Sequence, residues 1–360
     1  MDRNIKDKKF LICVLNWGIG HASRVIPIIQ LLHKYNQTVY IASDGDALIY
    51  LRREFPDLEY CELPPYDPIY PKGNEGMIRK IAFQMPKFLR TIKEEHLMIE
   101  RIVKEKRIDI VISDNRYGCY SNRVRSVLIT HQINIQLPKI YSFMEPFVNY
   151  FNWRQIKKFY RVWVPDFNDD RNLTGDMSAS GTVGRRYIGQ LSRMKPIAGV
   201  EQKYDILALV SGPEPQRSVF ENILRSQLYN YHGSSLLVRG HPEGSSEIKS
   251  FGRLHEVDFL ETAALNLAIE QSGIVVSRSG YSTIMDLAAL GKQAIFVPTP
   301  GQTEQLYLAK TLSNRGLCHY KDQKEFRLAK ALTKTKLYAG MGAVKFDNDI
   351  LEEIIVKVLR

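Results

Sequence analysis

The chain has 360 residues, of which 44% are hydrophobic and 25% charged, and it carries a formal net charge of +11. That length is too great for one ordinary domain and suits two of about 150–200 residues each, and the composition excludes a disordered chain. Four cysteines, Cys13, Cys61, Cys119 and Cys318, stand far apart with no C-x-x-C pair, so neither a zinc site nor a disulfide framework follows, and a cytoplasmic, reducing compartment is expected.

In chain order, Phe10 to Leu15 is a continuous apolar run, the pattern of a strand buried on both faces. Gly18 and Gly20 break it, and Ala22 to Tyr35 then carries Val25, Ile28, Ile29 and Leu32 at helical spacing. Thr38 to Ala42 reads as a strand and Asp46 to Glu54 as a helix. Met77 to Lys106 reads as a long helical stretch with a break expected near Pro86. Ile108 to Ser113 and Ser126 to Thr130 read as further strands. The polar run from Pro165 to Gly184 reads as loop leading into a linker.

The second half repeats the alternation. Strands are expected at Tyr204 to Val210, Ser235 to Arg239, Ile274 to Ser277 and Gln293 to Val297. Helices are expected at Val219 to Leu228, Glu261 to Gln271, Thr283 to Leu290, Glu304 to Asn314 and Asp349 to Leu359. Short strands alternating with helices imply parallel sheets with crossover helices. Two such runs imply an α/β chain of two Rossmann-like domains, residues 1–183 and 184–360, with the last helix free to pack back on the first.

No segment approaches the roughly 18 uninterrupted apolar residues of a membrane span. The short run after the basic N-terminal residues is broken by Asn16, and no small-residue cleavage site follows. Most of the positive excess lies in residues 1–165, a half suited to phosphates, an anionic membrane face or nucleic acid, or to solubility alone. No RNP motif or zinc finger supports nucleic acid. Between Lys139 and Arg161, Phe143, Phe147, Tyr150, Phe151, Trp153, Phe159 and Tyr160 alternate with basic residues. Such a segment suits a membrane interface, or else an interdomain or core helix.

In parallel α/β sheets ligands bind at the carboxyl ends of strands, so the punctuated loops after strands are the candidate sites. Asn16-Trp17-Gly18-Ile19-Gly20-His21-Ala22-Ser23-Arg24 offers two glycines, a helix N-terminus and an imidazole able to act as a base. Ser211-Gly212-Pro213-Glu214-Pro215-Gln216-Arg217 is a second strand-to-helix loop, whose two prolines remove amide donors. Ser277-Arg278-Ser279-Gly280-Tyr281-Ser282-Thr283 opens a helix with small residues suited to a diphosphate, or with Ser279 as an ordinary cap. Asp286 lies one turn on. Val297-Pro298-Thr299-Pro300-Gly301-Gln302-Thr303-Glu304-Gln305 carries carboxamides and a carboxylate suited to sugar hydroxyls. Asp44-Gly45-Asp46 has the D-x-D form of a metal site, but Asp46 before a helix reads as a cap.

Four of these pieces, in this order, resemble glycosyltransferase family 28: Gly18-x-Gly20-His21, Ser211-Gly212, Ser279-Gly280-x-x-Thr283-x-x-Asp286, and Pro298 through Gln305. The chain is also similar to a group of predicted bacterial and archaeal glycosyltransferases with G-x-G-H-x-x-R near the start. Two departures stand out: Asp286 replaces the family's Glu, and Pro213 and Pro215 replace glycine in the second loop.

The resemblance implies a GT-B fold, two Rossmann-like domains with parallel sheets facing across a cleft. It implies an inverting, metal-independent enzyme without cofactor. The sugar comes from a UDP-sugar co-substrate and passes to a sugar or lipid-linked acceptor, with possible peripheral contact at the cytoplasmic membrane face. His21 is the expected base, with Asp114 of Ser113-Asp114-Asn115-Arg116 the second candidate and His131 a third. Gly212, Arg217, Ser279, Gly280, Thr283, Asp286, Gln302, Glu304 and Gln305 are expected at the donor. Gly18, Gly20, Arg24, Asn115 and His131 are expected at the acceptor or phosphate loop. A non-catalytic donor-binding subunit and a UDP-sugar epimerase are the alternatives.

Overall fold

The computed structural model describes residues 7–68, 77–137, 139–179, 184–343 and 349–360; for 77–82, 139, 140, 179 and 343 it describes the backbone alone. Residue 183, where the sequence reading ends the first domain, lies outside them.

The first sheet has seven strands: β1 (Lys9–Val14), β2 (Thr38–Ser43), β3 (Glu59–Glu62), β4 (Ile110–Asp114), β5 (Arg125–Ile129), β6 (Arg161–Val164) and β7 (Arg185–Tyr187). They lie in the order β3-β2-β1-β4-β5-β6-β7, and every pair is parallel. Helices α1 (Ile19–Lys34), α2 (Gly45–Glu54), α3 (Met77–Lys106), α4 (Glu145–Ile156) and the short α5 (Asp176–Ala179) connect them. Phe10 through Val14 are wholly buried, which explains the unbroken apolar run of β1.

The second sheet runs β10-β11-β9-β8-β12-β13-β14. Its strands are β8 (Tyr204–Leu209), β9 (Ser235–Val238), β10 (Lys249–Phe251), β11 (Leu254–Val257), β12 (Ser272–Ser277), β13 (Gln293–Phe296) and β14 (His319–Tyr320). Only β10 and β11 are antiparallel. The helices are α6 (Gln216–Tyr229), α7 (Thr262–Glu270), α8 (Tyr281–Ala289), α9 (Thr303–Asn314), α10 (Leu328–Thr335) and α11 (Asp349–Leu359). Strand order reverses between β1 and β4 in one sheet and between β8 and β12 in the other, and these switch points are where open α/β sheets hold ligands.

Three local expectations change. Helix α3 runs through Pro86 without a break. The proline removes one backbone bond, and the long helical run beyond it carries the packing, with Ile99, Ile102 and Val103 buried beside β1 and β4. The polar run after Pro165 is not a linker. Buried Asp166 accepts from the backbone N–H groups of Phe167, Leu173 and Thr174, folding the run into a knot, and β7 then pairs with β6. The cap of α2 is Asp44, with Asp46 in its first turn.

A fully buried ion-pair cluster braces the first sheet's carboxyl edge. Arg116 is 0% exposed; it donates to Glu95, to Asp44 at 2.5 Å and to the carbonyls of Val14 and Pro64, while Tyr66 donates to Glu95 at 2.6 Å.

The last helix belongs to the first domain. Leu351, Ile354, Ile355 and Leu359 of α11 share one core with Val25, Ile28, Ile29 and Leu32 of α1. Lys34 and Tyr35 each donate to Glu352 at 2.6 Å. Ile355→Ala should therefore cost about 2–5 kcal/mol, read as a lower urea midpoint for the transition of the first domain.

Candidate active site at the domain cleft

His21 lies in the first turn of α1, which starts at Ile19, three residues earlier than the sequence pattern implies. Gly18 precedes it with φ of +93°, a conformation that favours glycine. Asp114 closes β4, the neighbour of β1 across the switch point. The topology thus brings together two residues far apart in sequence: His21 Nδ1 stands 2.6 Å from Asp114 Oδ1.

Arg24, one turn on, faces the same carboxylate. Its Nε donates to Oδ2 and its Nη2 to Oδ1 at 2.6 Å, a two-pronged grip on a wholly buried acid. Its Nη1 lies 3.0 Å from Nδ1 of His131, just beyond β5. His131 Nε2 then meets Glu304 Oε1 of α9 at 2.7 Å, and the Gln132 side chain donates to the other Glu304 oxygen. His131 stacks on Tyr281, at the start of α8, with ring centroids 4.1 Å apart. One polar chain therefore crosses the cleft: His21, Asp114, Arg24, His131, Glu304.

Burial opposes charge on His21, Arg24, Asp114 and Glu304, and on the last three the partners outweigh it. Burial would raise the Asp114 carboxyl, but Arg24 and His21 outweigh it and hold it below the usual carboxylate range. Burial and then the Arg24 cation lower His21, with Asp114 pulling the other way. Burial likewise works against an ionised Glu304, and His131 overcomes it. A neutral imidazole beside an ionised carboxylate is the arrangement of a general base.

The two domains touch directly above this chain. Ser282 Oγ donates to the Gly20 carbonyl at 2.6 Å, and a Cβ on Gly20 would lie 3.3 Å from that oxygen. Gly20 thus serves a close helix-to-helix approach. Thr303 donates to the Gln136 carbonyl at 3.3 Å.

Residues 214–340 match the glycosyltransferase family 28 C-terminal domain. Over 98% of its length the chain is 22% identical to the UDP-N-acetylglucosamine–N-acetylmuramyl-(pentapeptide) pyrophosphoryl-undecaprenol N-acetylglucosamine transferase of Francisella philomiragia, covering 93% of that protein. The chain is a glycosyltransferase similar to family 28. The glycosyltransferase is also 38% identical over 85 residues, 23% of its length and 22% of the relative's, to the transferase of the same name from Pasteurella multocida. Among solved structures, the glycotransferase of kitacinnamycin aligns over 99% of this chain and 100% of its own, with a TM-score of 0.65 at 15% identity. MurG of Acinetobacter baumannii aligns over 98% and 99%, with 0.56 at 14%. These likenesses show the GT-B fold.

Not every residue expected at the glycosyltransferase's site faces the cleft chain. Asp286 is buried against the segment joining the domains, where Ser192 donates to it at 2.7 Å and Arg193 Nε stands 3.6 Å away. The ribose contact expected of it is not what its carboxylate makes here. Arg24, expected beside a phosphate, is 2% exposed and taken up by Asp114 and His131. Asn115 holds a φ of +53° with its buried Oδ1 unpartnered. Ser279 donates to the Gln305 carbonyl, leaving Gly280 at the cap of α8. Gln305 accepts from the Thr299 N–H at 2.7 Å, which fixes the donor loop, while Gln302 caps α9. Thr283 is half-buried in the first turn of α8. Gly212 has φ of +103°, and Arg217 reaches Glu214 and the Gly240 carbonyl. Asp44 accepts from Arg116 and Asn16, a structural use of the D-x-D acid.

Sequence reasoning missed Arg278. It is buried, donates to the carbonyls of Val297, Pro298 and Gln216 and to Gln323, and rests on the Phe220 ring at 3.9 Å. Burial with no facing carboxylate lowers its pKa to about 9. It ties together the loops after β12 and β13 and the start of α6, and a charged residue directly after an apolar strand was its only signal.

Proposed function

We propose that the enzyme transfers a sugar from a UDP-sugar, with inversion and without a metal, to an acceptor held by the first domain. The carrying observation is the 2.6 Å contact between His21 Nδ1 and Asp114. It leaves Nε2 free to take the proton of an acceptor hydroxyl. The freed oxygen attacks the anomeric carbon from the face opposite the leaving group, the bond to the diphosphate oxygen breaks, and the nucleoside diphosphate departs. The N-terminal turn of α8, opened by Gly280, stabilises the developing negative charge. Glu304 and Gln305, at the start of α9, take the sugar hydroxyls. Arg116 already neutralises Asp44, which favours helix ends over a cation as the counter-charge.

The relatives named above act on an undecaprenol-linked substrate, and a lipid-linked acceptor suits the first domain here. Helix α4 buries only Asn152, Gln155 and Ile156 among the residues described along it, and Phe147 and Tyr150, with Phe143 before it, are 73%, 58% and 78% exposed. Arg154 and Lys157 flank them. A core role for this segment is thereby disfavoured, and a peripheral membrane contact is supported. No helix among the described residues is long and apolar enough to cross a membrane.

Thermal unfolding against a nucleotide panel tests the donor. A nucleotide-sugar present at 100 times its dissociation constant should add about 2.7 kcal/mol to stability, visible as a raised Tm with UDP and further with one UDP-sugar. No shift with any nucleotide would sink the donor reading and favour a partner-dependent subunit.

A further inference from the structure

Histidine can carry its proton on either ring nitrogen, and the hydrogen bond made by one nitrogen fixes the other. His21 Nδ1 lies 3.0 Å from Arg24 Nη2, which only donates, but only 2.6 Å from a carboxylate oxygen, which only accepts; the shorter, charge-assisted contact decides, so Nδ1 bears the proton and Nε2 is bare. His131 Nδ1 lies 3.0 Å from Arg24 Nη1, which only donates, so here Nδ1 is the acceptor and the proton sits on Nε2, facing Glu304 at 2.7 Å. The two imidazoles are therefore in opposite tautomers.

We infer that Arg24 is a positioning residue that sets both: by gripping Asp114 with Nε and Nη2 it aims the carboxylate at His21, and by donating from Nη1 it turns His131's proton toward Glu304. The inference rests on the reading of His21 as the base. It also extends that reading, because one guanidinium then links the acceptor-side base to the carboxylate proposed for the donor sugar. The geometry demands arginine. Three of its nitrogens serve two groups at fixed angles, which the single ammonium of lysine cannot reproduce.

The charged and titratable groups facing His21 are Arg24 on its own helix, Asp114 ending β4, His131 after β5 and Glu304 on α9, with Tyr281 of α8 facing Arg24. Of these, Arg24 is the permanent cation. Its Nη2 also stands 3.0 Å from His21 Nδ1, so it repels an added proton on the base while holding half of Asp114's attention. Removing Arg24 frees Asp114 for His21 alone and makes that imidazole easier to protonate.

The test is long-range proton–nitrogen NMR of the full chain labelled in histidine, with the two signals identified among eight by their loss in His21→Gln and His131→Gln. The wild type should show His21 protonated at Nδ1 and His131 at Nε2. In Arg24→Gln, the Nδ1 signal of His131 should move as it loses its charged donor while Glu304 keeps the proton on Nε2, and the titration midpoint of His21 should rise by about one unit, a tenfold gain in proton affinity. Arg24→Lys keeps the charge and loses the fork, so His21 should stay low while the His131 Nδ1 signal still moves. Wild-type His131 protonated at Nδ1, a His131 Nδ1 signal unmoved in either variant, or a His21 midpoint unmoved in Arg24→Gln, would overturn the inference. If Arg24→Gln does not fold, the wild type and Arg24→Lys still decide it. These signals need no substrate. They can therefore fail while His21 remains the base, and they can hold even if His21→Ala leaves transfer intact.

Discussion

His21→Ala should lower the rate of sugar transfer by a factor of about 10²–10⁴, the usual contribution of a general base, with the donor KM little changed. Single-turnover assays with the donor picked out by the thermal panel would measure it. Retained kcat in a folded His21→Ala protein would remove His21 from the mechanism. The pH profile follows from the same environment. The base works only when neutral, and burial and Arg24 lower its pKa in the folded enzyme. Activity should therefore persist as pH falls through the ordinary histidine value of about 6.5 and fail only below it. In Asp114→Asn the imidazole faces a neutral amide whose NH2 can donate to Nδ1 and move the ring proton to Nε2, so kcat should fall while the fold, tested by circular dichroism, survives better than in Asp114→Ala.

Arg116→Met should be the most damaging change to stability. Arg116 neutralises Glu95 and Asp44 while fully buried, and stripping one side of such a pair costs about 3–5 kcal/mol, a large part of the roughly 5–15 kcal/mol that holds a typical protein folded. Burial already raises the Glu95 carboxyl against the pull of Arg116. Without the arginine it rises further, so the folded variant binds protons that its unfolded chain releases. The gap to wild type should then shrink as pH falls toward the ordinary carboxylate range. Urea unfolding at several pH values measures this, and a gap of under about 1 kcal/mol at neutral pH would fall in the range of surface pairs and show that the cluster contributes little.

Much of the architecture was legible because buried strands leave unmistakable apolar runs, as at Phe10 to Val14 and Ile206 to Val210. Strands β3, β6, β7, β10, β11 and β14, of four residues or fewer, carry no period to read. His21, Asp114, His131 and Glu304 were each legible as polar residues in loops or at ends of strands. Their chain of contacts was not, because it depends on which strands become neighbours and on how the domains meet. Arg24 and Asp286 show the limit most clearly. Both sit in motifs suggesting ligand contact, yet each is used by the protein itself, and only packing reveals that a charged side chain has turned inward.

Helix α11 carries a consequence for how the chain is made. A ribosome delivers residues at about 5–20 per second, and N-terminal domains generally fold first. Here the first domain lacks part of its core until the second has been synthesised, since Leu351, Ile354, Ile355 and Leu359 follow that domain in the chain. The second domain has its own sheet and core in hand earlier. The two halves are therefore completed in an inverted order: the half emerging first waits, with an apolar face of α1 uncovered and in need of protection from aggregation, for the eleven-residue helix α11 to close it.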